Sequence, residues 1–473
     1  MCLNLLFPSP ILAHFTKICF FSIFAALMKN RINILYITAA LAFLMTACSK
    51  DSIHGDGFSH SGGNRTEGTN RVEVEEHRNL MLLYSAGYNS ISEYLAEDID
   101  DIQKGWLPGS GRSANILLVY SHLPVKRGNY STPTSPTLTR ISVSNEGTVI
   151  KDTLKVYPEG TRSATAEQLH EVLNYVKTTF PVKSYGMIFS SHATGYLPSG
   201  YYSSPGDYKF SEKNGAMYRP GEGRYRSRPV PYVAPEYDPS LPAVKSIGQD
   251  QVGNSSFEIE IDDFAKCIPM QMDYILFDAC LMGGVEVAYE LKEKCRLVGY
   301  SQTEVLAEGF DYKTLTEHLL GSETPDPKAV CEDYFIQYDI QQGIYRSATI
   351  SMVDCTQMEP LAETCRNLFE KYRSQISGLN PNTVQRYYRS SYHWFYDLED
   401  ILAKAGATAE ELETFREALD KCIVYKASTP EFMGSFDINT YSGLSMYLPC
   451  NGSRELDKYY KTLQWNMSTG LVR

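Results

Sequence analysis

The sequence is poor in the signals that announce a bound group. Its 11 cysteines include no CxxC spacing and no paired cysteine–histidine pattern, which argues against a zinc module. It carries no glycine-rich phosphate loop, no HExxH, no GxSxG and no EF-hand loop. Positive charge is in short supply. Lys+Arg is 44 against 56 Asp+Glu, a net charge of −12, which makes nucleic acid a poor partner and leaves cationic peptides as suitable ones. Tryptophan is scarce at 3 while tyrosine reaches 34. There is no internal repeat. The hydrophobic share of 43% excludes wholesale disorder and fibre-like composition. A chain of 473 residues suggests two or three domains, or one large domain with additions.

Residues 1–47 contain two apolar stretches. In the second, Met28-Lys29-Asn30-Arg31 precedes an apolar run from Ile32 to Met45, followed by Thr46-Ala47-Cys48. The run is shorter than the roughly 20 residues that span a bilayer comfortably. Basic start, apolar centre and small residues before a cysteine resemble a bacterial lipoprotein signal, with Leu44-Met45-Thr46-Ala47-Cys48 as its lipobox. The resemblance implies that Cys48 is lipidated, that the chain starts at Met28, and that a lipid anchor holds the protein in the cell envelope, at the outer membrane or surface. From Ser49 to Glu76 apolar residues nearly vanish, so 48–76 reads as a flexible tether. Most of the eight later cysteines sit among apolar residues and read as buried small hydrophobes.

From Leu80 the chain alternates strand-like and helix-like segments. Apolar runs at 79–85, 115–121, 138–143, 185–192, 274–278 and 297–301 suit buried strands. Helical spacing follows Asn89, a candidate cap, and recurs at 165–180, from Asp262, and at 286–294. The expected fold is therefore an α/β sandwich, a mostly parallel or mixed sheet flanked by helices. This main domain spans 77–320 and is interrupted by an irregular insertion at 197–251, rich in Pro, Gly, Tyr and Arg. Residues 321–473 read as a largely helical subdomain, with strands at 347–353 and 443–448.

Two strand ends carry reactive side chains: Ser190-Ser191-His192-Ala193-Thr194-Gly195-Tyr196 and Phe277-Asp278-Ala279-Cys280-Leu281-Met282-Gly283. Ligands bind beyond the carboxyl ends of such strands. A thiolate attacks carbonyls, and an imidazole beside it lowers the thiol pKa and protonates a leaving amine. The backbone N–H groups of Ala193 and Cys280 are candidate oxyanion donors. By spacing alone, a cysteine ending an apolar strand is more often core than nucleophile.

The two strings themselves resemble the motifs of the clostripain family of cysteine peptidases, which has a caspase-like fold. Ser246-Ile247-Gly248-Gln249-Asp250, Ser301-Gln302-Thr303-Glu304 and Glu308-Gly309-Phe310-Asp311-Tyr312 extend the match. The resemblance implies a His192–Cys280 dyad, a thioester intermediate, and cleavage after Arg or Lys. It implies that Asp278 and Glu308 form the acidic floor of the substrate pocket. The family has Gly where Ala193 stands, Trp where Tyr196 stands, and Asp where Glu308 stands. Self-cleavage between the two motifs is implied as well. The insertion offers Lys209, Lys213, Arg219, Arg224, Arg226 and Arg228, without singling out a bond. Glu97-Asp98-Ile99-Asp100-Asp101 reads as a solvated helix face rather than a calcium site. No cofactor or metal is expected, calcium dependence is left open, and the expected state is a monomer acting on peptide or protein substrates. The alternative is a non-catalytic peptide- or glycan-binding lipoprotein on a peptidase scaffold. A third reading is an enzyme kept latent until another protease cuts the insertion.

Overall fold

The computed structural model describes residues 78–109, 112–211, 227, 229–232, 238–245, 250–389 and 393–473. The signal region, Cys48, the tether, and Lys213, Arg219, Arg224, Arg226 and Arg228 of the insertion lie outside the described residues. So do Tyr218, Tyr225 and the Ser246–Gln249 stretch.

The strands and helices begin with β1 (Asn79–Ala86), α1 (Ser92–Lys104), β2 (Ile116–His122), β3 (Thr137–Val143), β4 (Val149–Val156), α2 (Ala166–Thr179) and β5 (Ser184–Ser190). The short β6 (Val230–Pro231), β7 (Asp250–Val252) and β8 (Ser255–Phe257) follow, then α3 (Ile261–Cys267), β9 (Met272–Asp278), α4 (Val285–Leu291) and β10 (Cys295–Tyr300). Beyond them come α5 (Leu315–Leu320), α6 (Pro327–Asp339), β11 (Thr349–Asp354), α7 (Met358–Ser377), β12 (Tyr396–Asp397), α8 (Leu398–Lys404), α9 (Ala409–Cys422) and β13 (Ile423–Ser428). The chain ends with β14 (Glu431–Phe432), β15 (Phe436–Asp437), β16 (Ser445–Met446), α10 (Arg454–Tyr460) and α11 (Gln464–Thr469).

Nine strands make one sheet in the order β13-β11-β10-β9-β5-β1-β2-β3-β4. Its middle, β10-β9-β5-β1-β2, is parallel. Strands β1 and β9 are apolar on both faces because helices cover both, which explains their unbroken apolar runs. Both edges are antiparallel additions, β3–β4 at one side and β11–β13 at the other. Tyr84 stacks on Tyr120 and Phe189 at 4.4 and 5.5 Å, tying three neighbouring strands together. Gly186 on β5 leaves room for the Tyr274 ring of β9, where a Cβ would fall 1.9 Å from it.

Elements that need no partner were the readable ones. Helix α2 starts at Thr165, whose side chain accepts from the Gln168 N–H, and buries Leu169, Val172, Leu173 and Val176 as one stripe. Strand β4 escapes a periodicity reading because it is an exposed edge without alternation. Only the first two residues of β13 continue the helical pattern that begins at Ala409; the structure ends α9 at Cys422 and makes Ile423–Ser428 an edge strand. Asn89 is not the cap of α1. Its Oδ1 accepts from the Ile91 N–H at 3.2 Å in a turn before the helix, which begins at Ser92. The predicted strand at 443–448 shrinks to Ser445–Met446, paired with β12. Since β11 and β13 complete the sheet, residues Glu73–Arg473 form one compact unit.

Candidate active site

Ser190 and Asp278 face each other in the parallel register of β5 and β9. His192 and Cys280 each follow two residues later, just beyond the ends of these adjacent strands and at the same end of the sheet. The connection after β1, which lies on the other side of β5, adds Ser90, whose Oγ is 3.1 Å from His192 Nε2. With β2 and β5 on opposite sides of β1, this is a point where strand order reverses, the usual location of an α/β binding crevice.

Cys280 closes its strand with unusual backbone geometry. Leu281, the next residue, has φ +61°, a left-handed conformation that a branched side chain seldom adopts. Hydrogen bonds from the Leu281 N–H to Thr303 O at 2.9 Å and the Gly283 N–H to Ser301 O at 2.7 Å hold it there. Such strain costs about 1–3 kcal/mol and clusters at functional sites. The Cys280 Sγ accepts from the Val305 N–H at 3.0 Å.

The space beside this sulfur is filled by the protein's own chain. Residues 243–245 run antiparallel to 305–307: the Lys245 N–H donates to Val305 O at 2.8 Å and the Ala307 N–H to Ala243 O at 2.9 Å. The Lys245 side chain is completely buried. Its ammonium pairs with Asp278 Oδ2, lies 3.3 Å from Asp98 Oδ2 and 3.4 Å from Ser190 Oγ. Tyr312 donates its OH to the same Asp278 oxygen at 2.6 Å. Gly309, at φ +62°, closes the back; a Cβ there would sit 2.5 Å from both Asp278 oxygens and 2.6 Å from the ammonium. Burying a lysine is tolerated only with such paired partners.

This enclosure sets the protonation states. Burial pushes the His192 imidazole down to about 4, with the Lys245 backbone opposing the shift and its ammonium adding to it. Burial pushes the Cys280 thiol well up. The Glu304 carboxylate adds to that shift, while the Val305 N–H, Lys245 and Arg389 pull the other way. Glu304 is itself buried and held by Arg389 Nε at 2.9 and 3.0 Å. The resting pair is a neutral thiol and a neutral imidazole.

Two expectations change. Glu308 is exposed, and the second carboxylate on the buried ammonium is Asp98. Glu308 precedes Gly309, which contributes backbone to the pocket wall, so its own side chain is directed outward. Asp98 is not part of a solvated acidic face. It falls three residues after Leu95 and four before Ile102, within the buried stripe of α1. That spacing was the signal available in the sequence. Lys245 was missed as well; an apolar Pro242-Ala243-Val244 ahead of a lysine was its mark. Ala193 follows His192 and is half-buried, and Tyr196 is core, donating its OH to Trp394 O at 2.7 Å. Glu260, Asp262 and Asp263 converge at the start of α3 with oxygens within 4.8 Å of one another. Burial pushes the Glu260 carboxyl up to about 8, so at neutral pH it is largely protonated. The eight cysteines after Cys48 are all unpaired, and seven are buried.

A caspase-like α/β sandwich with cysteine and histidine at adjacent strand ends defines a cysteine peptidase. The clostripain family model matches residues 83–217 and 234–470, and the chain belongs to that family. An inactive zymogen C11 protease from Parabacteroides distasonis is similar in structure, with TM-score 0.64 and 26% identity, covering 83% of this chain and 97% of that one. A secreted C11 cysteine protease from Bacteroides thetaiotaomicron, iotapain, has TM-score 0.63 and 22% identity, covering 83% and 99%. A secreted C11 protease from the same organism in complex with an irreversible peptide inhibitor has TM-score 0.61 and 20% identity, covering 83% and 99%. No curated protein sequence matches the chain.

Proposed function

We propose that this cysteine peptidase is an endopeptidase that cleaves after basic residues, and that its first substrate is its own Lys245–Ser246 bond. The observation that carries the reading is Lys245, fully buried beside Cys280 with its ammonium between two carboxylates and its backbone paired like a bound peptide. His192 takes the Cys280 thiol proton as the sulfur attacks the Lys245 carbonyl carbon. The N–H groups of Ala193 and Cys280 receive the developing oxyanion. As the C–N bond breaks, the imidazolium gives its proton to the departing amine. Water, deprotonated by His192, then hydrolyses the thioester and returns the thiol. Asp278 anchors the basic side chain throughout. The similar Parabacteroides structure is a zymogen by name, which accords with a precursor whose pocket is already occupied.

In this reading Val244 and Pro242, half-buried and buried, mark the next subsites, and exposed Ala243 marks a tolerant one. The lipobox-like string ending at Cys48 supports an envelope location on a tether, and the acidic balance suits cationic peptide substrates. No metal takes part in the proposed steps, and a monomer suffices for them.

The test is intact mass of the full chain and of Cys280→Ala after incubation. Two fragments divided after Lys245 are expected for the former and an uncut chain for the latter. A wild-type chain that stays whole while hydrolysing peptides, or is cut only elsewhere, overturns the self-cleavage reading.

A further inference from the structure

The pocket around Lys245 is asymmetric in a way that separates lysine from arginine. An ammonium is a compact charge with three donors, and three oxygens surround it here: Asp278 Oδ2, Asp98 Oδ2 and Ser190 Oγ. They come from three elements, the ends of β9 and β5 and the buried stripe of α1. On the far side of Asp278, Oδ1 is buried and has no hydrogen-bond partner among the described residues. The lysine uses one oxygen of Asp278 and leaves the other unsatisfied. A guanidinium is a planar fork that takes both oxygens of one carboxylate. It would satisfy Oδ1 through Asp278 alone, with less call on Asp98.

We propose that Asp98 is the lysine-recognising residue of the pocket, and that it sets the balance between lysine and arginine substrates. The proposal rests on the basic specificity argued above. Asp98 is able to act this way because α1 holds it still: Leu95 and Ile102, on the same stripe, are fully buried. Its carboxylate is directed inward to the ammonium, with its side chain only 8% exposed. Glu308, the other acidic candidate, is solvent-exposed and takes no part in this balance. Tyr338 fixes the rear wall by donating its OH to Gly309 O at 2.9 Å, so the pocket does not simply widen for a longer side chain.

The experiment compares self-cleavage at position 245 in four full-length chains: wild type, Lys245→Arg, Asp98→Asn, and the double variant. Each is followed by intact mass over time. Matched peptides with Lys or Arg before the scissile bond are given to the wild type in parallel. The expected result is that Asp98→Asn lowers the lysine-to-arginine rate ratio by about tenfold or more, the scale of a lost charge-assisted hydrogen bond. Asp98→Glu, which keeps the charge, should return part of that ratio. An unchanged ratio in Asp98→Asn overturns the proposal and leaves the basic pocket standing. A fold defect alone slows lysine and arginine cleavage alike and leaves the ratio at its wild-type value, so only a changed ratio in Asp98→Asn supports the proposal. Asp98→Glu, made with and without Lys245→Arg, must restore part of it, and a ratio as low as that of Asp98→Asn overturns the proposal. A wild type that cuts neither itself nor any Lys or Arg peptide refutes the underlying basic specificity instead.

Discussion

The insertion between the two motifs behaves differently at its two ends. Its first residues, 197–211, settle on the C-terminal part of the chain by aromatic packing. Tyr201 and Tyr202 lie 5.5 and 5.9 Å from the Trp394 ring, and Tyr201 donates its OH to Ser453 Oγ at 3.1 Å. Towards its other end, residues 243–245 are held instead by a charged tip and two backbone hydrogen bonds. The first attachment is aromatic packing pinned by a few hydrogen bonds, and has no use for a particular reacting bond. The second is made of contacts that a substrate peptide would duplicate. Packing fixes one end, and the other is held by recognition.

Substitutions can break this contrast, and the largest effect belongs to the chemistry itself. Cys280→Ala or His192→Ala should abolish peptide turnover and leave the chain uncut, measured by hydrolysis and intact mass. Turnover persisting in both would remove the dyad. Next comes Lys245→Ala. It leaves Asp278 and Asp98 without their counter-charge, so thermal unfolding of the uncut chain should show a loss of about 3–5 kcal/mol, and self-cleavage should slow by at least about a hundredfold. Trp394→Ala acts on the first end. Calorimetry should record about 3 kcal/mol of destabilisation from the emptied aromatic site, with the Lys245 bond still cut.

The smallest expected effect is one of pH. Burial pushes the carboxyl of Asp250 up to about 7 and that of Glu260 up to about 8. Glu260 accepts from the Ser199 N–H at the first end, while Asp250 follows the second end and accepts from the Ala164 N–H at 2.9 Å. Both bind protons more tightly folded than unfolded, so their contribution declines as pH rises above the usual carboxyl range near 4. His122 and His192, pushed down to about 3 and about 4, act oppositely but only below their unfolded values near 6.5. Between pH 6.5 and 8.5 the melting temperature should therefore fall; a rise across that window would contradict these buried acids.

The central fold was legible because parallel strands covered on both faces carry unbroken apolar runs, Leu80–Tyr84 in β1 and Tyr274–Phe277 in β9. The dyad positions were legible from motif strings at strand ends. Edge strands β4 and β13 were not, since β4 meets solvent on both faces, β13 on one, and the register of each is set by a neighbour. The pocket was half legible. Asp278 sits in a motif, but Asp98 comes from a helix 180 residues earlier, and only its place in the α1 stripe hinted that it faces inward. Lys245 stands in the sequence as one more basic residue of the irregular insertion. The apolar Pro242-Ala243-Val244 before it is only a faint local mark; what separates a lysine that enters a pocket from one that stays in water lies in Asp98, Asp278 and Gly309, brought together by the sheet.

Val305 touches both partners of the proposed reaction, receiving the Lys245 N–H on its carbonyl and giving its own N–H to the Cys280 sulfur. A chain that docks here must arrive extended, with its N–H and carbonyl groups uncommitted. Lysines in helices or in the middle of a sheet already spend those groups on their own structure. On the proposed function the cleft would read the conformation of a target before its sequence, sparing intact folded neighbours and cutting loops, tails and unfolded chains.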